Sequence, residues 1–330
     1  CKDVSGKGAR SVEEYVMKRY PLWLLLGVLS GFLWGCDNYL YAAGAHGVGD
    51  GILSAGILFP LVCTAVNDVS AGAFLLVVNG VRGVLHSIHT VVLGRSGVFL
   101  ITAALIGGPL GQLSYCLGIL WAGATYALAL SALYPVIGCI LARVFLHQRM
   151  TARMSLGILL AVAGTIITGF TAPESAPPML SVGLLCALLA ALCWGAEIVL
   201  AVRGMADIEP DLAITLRETI SGTVLLTMTF VLSSNSSVWL PIMGKPLALS
   251  TLALAGVVAG ASYFLWYAVN RTIGCARGMA TNATYIIWGV LLQWGLGNDV
   301  PSERIILGCV LVFVGVLLVS LYPKKEETIL

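Results

Sequence analysis

Apolar residues dominate this chain in ten stretches, each near the ~20 residues that an α-helix needs to cross a bilayer. They fall at about 22–42, 52–79, 98–120, 123–146, 154–171, 180–203, 210–232, 249–271, 275–297 and 304–322. Only the turn at Ala122-Gly123 separates the third from the fourth. The Gly-, Pro- and Ser-rich segments Gly44–Gly51, Pro173–Pro178 and Ser233–Pro246 read as loops. The pattern therefore predicts an all-α membrane protein with ten transmembrane helices.

Composition agrees with this reading. Hydrophobic residues make up 58% of the 330 and charged residues 10%, with mean hydropathy +0.95, whereas soluble domains carry roughly 25% charged residues. Charge sets the orientation. With both termini cytoplasmic, the inner loops and ends collect Lys18, Arg19, Arg82, Arg95, Arg143, Arg149, Arg153, Arg203, Arg271, Arg277, Lys324 and Lys325, and the outer loops only Lys245 and Arg304. The net charge of +2 names no partner, and nucleic acid is not expected. The nine cysteines, mostly inside apolar runs, read as small core residues. Residues 1–17 read as an N-terminal extension, disordered or not native, because Met17-Lys18-Arg19 ahead of the first span resembles a start.

The chain also resembles itself. A shift of 151 aligns 123–170 with 274–321 and brings Gly123, Tyr134, Gly138, Gly157 and Gly164 onto Gly274, Tyr285, Gly289, Gly308 and Gly315. Upstream, Gly107/Gly111 meet Gly256/Gly260, Asp68 with Gly72 meets Glu218 with Gly222, and Trp34-Gly35-Cys36-Asp37 meets Trp194-Gly195-Ala196-Glu197. A unit of five helices is odd, so its second copy inserts upside down. Two inverted-topology repeats are expected, 18–172 and 180–323, joined by a linker at 173–179 and followed by a cytoplasmic tail at 324–330. In such architectures substrate binds near the midplane between the halves.

Four acids lie inside apolar stretches: Asp37, Asp68, Glu197 and Glu218. An ionisable group at membrane depth is costly and marks a functional site by default. Glu197 and Asp37 are candidates for holding a cation or carrying a proton. Glu218, with Arg217 beside it, reads equally as half of a structural ion pair, and Asp68 as a partner of Arg217 or of a helix end. All four are candidates for proton coupling. Helical spacing puts Trp34, Asp37, Asn38 and Tyr41 on one face of the first span and Tyr263, Trp266, Tyr267 and Asn270 on one face of the eighth. Gln112, Tyr115, Tyr134, Trp194, Asn282, Tyr285 and Trp288 extend the set. Aromatic rings around a carboxylate suit an organic cation, above all a quaternary ammonium, which ring faces and a nearby charge hold without N–H bonds. The substrate-binding candidates are Trp34, Asp37, Gln112, Tyr115, Trp194, Glu197, Tyr263, Trp266, Tyr267, Tyr285 and Trp288. Histidines 86, 89 and 147 fall at an inner loop or helix end and read as solvated. No phosphate loop, dinucleotide fingerprint, metal-ligand cluster or nucleophile–base set is present. Neither an enzyme nor a cofactor is expected.

The two five-helix halves, each with a Gly-x(6)-Gly helix (Gly157/Gly164, Gly308/Gly315), resemble the drug/metabolite transporter superfamily, EamA type. A narrower resemblance, to bacterial choline permeases of the LicB type, rests on Phe32-Leu33-Trp34-Gly35, Asn67-Asp68, Gly107-Gly108-Pro109-Leu110-Gly111-Gln112, Ser131-Ala132-Leu133-Tyr134-Pro135 and Cys193-Trp194-Gly195-Ala196-Glu197. This resemblance implies a secondary active transporter of the cell membrane, bacterial by that kinship. It would import choline or a related quaternary amine by alternating access, coupled to protons, in an aromatic box with Trp34, Trp194 and Glu197. Asp37 has no match in that pattern. Export of amino acids or drug-like metabolites is the rival reading.

Overall fold

A computed structural model describes residues 18–48, 56–169, 179–233, 239, 243–297 and 300–321. The predicted extension at 1–17, residues 173–178 of the predicted 173–179 linker and the tail at 324–330 lie outside these residues, as do Lys324 and Lys325.

The described residues form helices: α1 (Tyr20–Val48), α2 (Leu58–Val81), α3 (Arg95–Ala122), α4 (Ala124–Ser131), α5 (Tyr134–Phe145), α6 (Ala152–Gly169), α7 (Leu180–Gly204), α8 (Pro210–Leu232), α9 (Pro246–Ile273), α10 (Cys275–Asn282), α11 (Tyr285–Gly297) and α12 (Glu303–Ser320). A short apolar helix, Val84–Leu93, follows α2 and carries His86 and His89. Eight helical stretches are long and apolar enough to cross a membrane: α1, α2, α3, the α4–α5 stretch from Tyr126, α6, α7, α9 and α12. The other two predicted spans fall short for visible reasons. Asp211, Arg217 and Glu218 lower the apolarity of α8, and Arg277 and Asn282 that of the ninth span, which is divided into helices of 8 and 13 residues as the fourth is into 8 and 12.

That division corrects the reading of the fourth and ninth spans as single helices. Both break at a turn, Ala132-Leu133 in one and Ala283-Thr284 in the other. Pro135 has no N–H to continue the ladder in the first. In the second, the Thr284 hydroxyl donates to the Thr281 carbonyl at 2.8 Å and ties the turn down. Each broken helix is entered through a glycine of positive φ, Gly123 at 89° and Gly274 at 88°, a conformation that a Cβ disfavours. The expected loop at Gly44–Gly51 also changes, since α1 runs on to Val48. Gly44 lets it press against Leu252 of α9, where an added Cβ would lie 2.7 Å from Leu252 Cγ. Within α3, Pro109 sits in a π-turn, Ile106–Leu110, that widens the helix locally.

The packing interchanges between the halves. Helix α1 packs along α9, and α3, its counterpart's partner, along α7. Helices α4 and α5 pack on α7, while α10 and α11 pack on α1. Helix α2 crosses α8, and α6 crosses α12. At the α2–α8 crossing Gly72 faces the backbone of Glu218-Thr219, and Gly222 faces the backbone of Asp68-Val69. The main apolar cluster gathers Leu75, Leu100, Met154, Ile198, Met205, Ile214 and Met279. It lies beside a set of polar ties: Arg82 to Asp211 at 3.1 Å, Asn79 to Thr215 at 2.8 Å and Arg271 to Glu209 at 3.3 Å.

Candidate functional site

Between the halves lies a cavity of about 500 Å³, a size suited to a small molecule. Helix α1 contributes Trp34, Asp37, Asn38 and Tyr41, which its pitch stacks on one face, and α2 contributes Pro60, Thr64, Asn67 and Asp68. Gln112, Tyr115, Cys116 and Ile119 come from α3. Leu128 and Ser131 of α4 and Tyr134 of α5 close one side, facing Trp194 and Glu197 of α7. Arg217 of α8, Tyr263 and Trp266 of α9, Asn282 of α10 and Tyr285 of α11 complete the wall.

The rings touch one another. Trp34 meets Tyr263 edge-on with centroids 4.6 Å apart. Trp194 contacts Tyr115 at 5.3 Å and Tyr134 at 6.4 Å. The indole N–H of Trp194 donates to the Gly107 carbonyl at 3.1 Å, in the π-turn of α3. Fixed rings of this kind present their faces without further loss of rotamer freedom.

One guanidinium organises the buried acids. Arg217 Nε donates to Glu197 Oε1 at 2.8 Å and Nη2 to Oε2 at 3.4 Å. Its Nη1 donates to Glu218 Oε1 at 2.6 Å and lies 3.9 Å from Asp68 Oδ2. The plane sits 5.0 Å from the Tyr263 ring centroid, a cation–π contact. Tyr267 donates to Glu197 Oε1 at 3.1 Å, and Ser221 to Asp68 Oδ2 at 2.6 Å. Asp37 stands apart and accepts from Asn67 Nδ2 at 2.8 Å.

Most of the predicted residues thus converge. Trp34, Asp37, Asp68, Gln112, Tyr115, Trp194, Glu197, Tyr263, Trp266 and Tyr285 line the cavity, and three do not. Tyr267 is fully buried and reaches Glu197 from behind. Trp288 packs edge-on against Phe32 at 5.3 Å. Glu218 is buried behind Arg217. The sequence reading weighed Arg217 only against Glu218 and Asp68, so its grip on Glu197 was missed. A lone arginine within an apolar helix is a signal that it must reach every acid nearby. Thr64, Cys116, Ser131 and Leu128 had no such signal, because small or apolar side chains in membrane helices are too common to single out.

Two glycines of the π-turn make the close approach possible. A Cβ on Gly107 would occupy the space of the Glu197 carboxylate, and one on Gly108 that of the Ser221 hydroxyl. Glu197 is pinned by Arg217 and Tyr267, so Gly107→Ala should destabilise the protein by about 1–3 kcal/mol through overpacking. A lowered unfolding temperature in detergent is the expected readout. Wild-type stability would show that Glu197 is free to move aside.

Comparison with known proteins now adds to this geometry. Residues 181–321 match the EamA-like transporter family. Eight helices long and apolar enough to cross a membrane fit a multi-pass membrane protein. The chain is also 27% identical over 228 residues to Protein LicB of Haemophilus influenzae, covering 68% of this chain and 75% of that protein. A solved crystal structure superposes on this chain with a TM-score of 0.67, covering 88% of this chain and 95% of the other, at 19% identity. The two share a fold.

Proposed function

We propose that this protein is a secondary active transporter of the EamA type that imports a small organic cation, choline or a related quaternary amine first, in the cell membrane. The observation that carries the reading is the aromatic cavity between the two halves, with the carboxylates of Asp37, Asp68 and Glu197 in its wall. Ring faces attract a cation that cannot donate N–H bonds, and kinship with LicB-type permeases favours the same cargo. In this reading ten spans form two inverted five-helix repeats, 18–172 and 180–323, with both termini cytoplasmic. Support comes from the interchange of helix contacts and from the paired positive-φ glycines Gly123 and Gly274. The cavity then extends outward along Tyr41, Pro60, Ile119 and Leu128, and Arg82–Asp211 and Arg271–Glu209 tie the inner side. Alternating access would exchange these conditions.

Proton coupling is part of the proposal. Three buried carboxylates (Asp68, Glu197, Glu218) share one buried guanidinium, Arg217, and a fourth, Asp37, lies apart from it, which leaves room for protons and for a cargo cation. The expected result is saturable choline binding to the purified protein by calorimetry, with clearly weaker binding of the uncharged isostere 3,3-dimethylbutan-1-ol. In proteoliposomes, uptake should follow an inward proton gradient and collapse with a protonophore. No choline binding by folded protein would remove choline as cargo. The same rings would also wall an aromatic metabolite, so efflux without uptake would favour the exporter reading.

A further inference from the structure

Two carboxylates of the cavity differ in a way that their sequence symmetry hides. Glu197 already has a cation: Arg217 grips both of its oxygens, and the same guanidinium lies over Tyr263. Carboxylate, ring face and positive charge are thus supplied by the protein itself. A cargo cation arriving there meets a carboxylate whose two oxygens are already engaged by a guanidinium, one that also bonds Glu218 and lies 3.9 Å from Asp68.

Asp37, the counterpart of Glu197 in the first half, has no such partner. It is 5% exposed, lines the cavity, and forms no ion pair among the described residues. Among the described residues its one hydrogen-bond donor is the amide of Asn67, at 2.8 Å on Oδ1. An amide orients a carboxylate but brings no charge. A buried carboxylate without a counter-charge is costly, and a cation that reaches it removes that cost. The pitch of α1 sets Trp34 one turn before Asp37 and Tyr41 one turn after, and both also line the cavity. Ring faces therefore flank the open charge.

We infer that Asp37, and not Glu197, recognises the positive charge of the cargo, while Arg217 serves as a tethered cation that satisfies Glu197. This inference rests on the organic-cation reading above and assigns the charge-selecting residue within it. Asn67 is the positioning residue, holding one carboxylate oxygen so that the other is available to the ligand. The arrangement divides labour between the two halves: one acid is fixed in the frame, and its counterpart is left for the substrate.

The test compares choline with 3,3-dimethylbutan-1-ol, of nearly the same shape and without the charge, on the purified full chain by calorimetry. Wild type should prefer choline. In Asp37→Asn the preference should fall by about tenfold or more, since a unit charge a few ångströms away is removed from a poorly solvated site. The neutral isostere should bind Asp37→Asn as it binds wild type, and Asp37→Glu should restore part of the preference. If Asp37→Asn does not fold, Asp37→Ser is read in the same way. A preference unchanged in a folded, neutral variant overturns the inference and leaves the organic-cation reading standing. A wild type that binds both ligands equally, or neither, removes the organic-cation reading and this inference with it.

Discussion

Arg217→Leu is expected to destabilise this protein by about 3–5 kcal/mol. The substitution removes the guanidinium that bonds Glu197 and Glu218 and lies 3.9 Å from Asp68. All four side chains are at most 7% exposed, so water cannot take over. Breaking a buried pair by deleting one partner costs about 3–5 kcal/mol, against a typical total stability of about 5–15 kcal/mol. The expected readout is a large drop in unfolding temperature in detergent, with aggregation on size exclusion. Arg217→Lys keeps the charge but not the fork that serves two carboxylates at once, and should lie between. Adding Glu197→Gln and Glu218→Gln to Arg217→Leu should recover stability, because the orphaned charges then disappear. An Arg217→Leu protein as stable as wild type would mean that the cluster contributes nothing to the fold.

The second large effect belongs to the crossing of α6 and α12. Gly157 and Gly315 face one another, as do Gly164 and Gly308. A Cβ on Gly164 would lie 2.5 Å from the Gly308 carbonyl oxygen and 2.7 Å from the Val312 nitrogen. These are backbone atoms, so no side chain can turn aside and the helices themselves must separate. In a bilayer such pairs associate through close packing, without a hydrophobic force between them. Gly164→Leu should destabilise by about 1–3 kcal/mol or more, read as a lowered unfolding temperature and reduced yield. Leu159→Ala is the natural control, as Leu159 is exposed on the outer surface of α6. Equal stability of the Gly164→Leu and Leu159→Ala proteins would sink the argument.

Much of the site was legible along the chain. Trp34 and Asp37 were readable because an aromatic ring and an acid one helical turn apart share a face, and that face lines the cavity. The same logic misled at Tyr267 and Trp288. Helical spacing says which residues share a face but not which neighbour covers it, and α9 turns Tyr267 toward Glu197 rather than into the cavity. The breaks in the fourth and ninth spans were hidden by their apolarity, since hydropathy averages over a two-residue turn.

By itself, the sequence determined that this is a helical membrane protein and that it buries acids beside aromatic rings. Each follows from local quantities: the run of apolar residues, the period of a helix, the cost of a charge in hydrocarbon. Only the tertiary structure decided how the charges are shared. Glu197, Glu218 and Asp68 come from three helices, and which of them Arg217 neutralises depends on ångström distances between α2, α7 and α8. Electrostatic pairing in a poorly solvated interior is a property of contact in space. That is why Asp37 and Glu197, matched in sequence, differ: one meets an arginine, the other an amide.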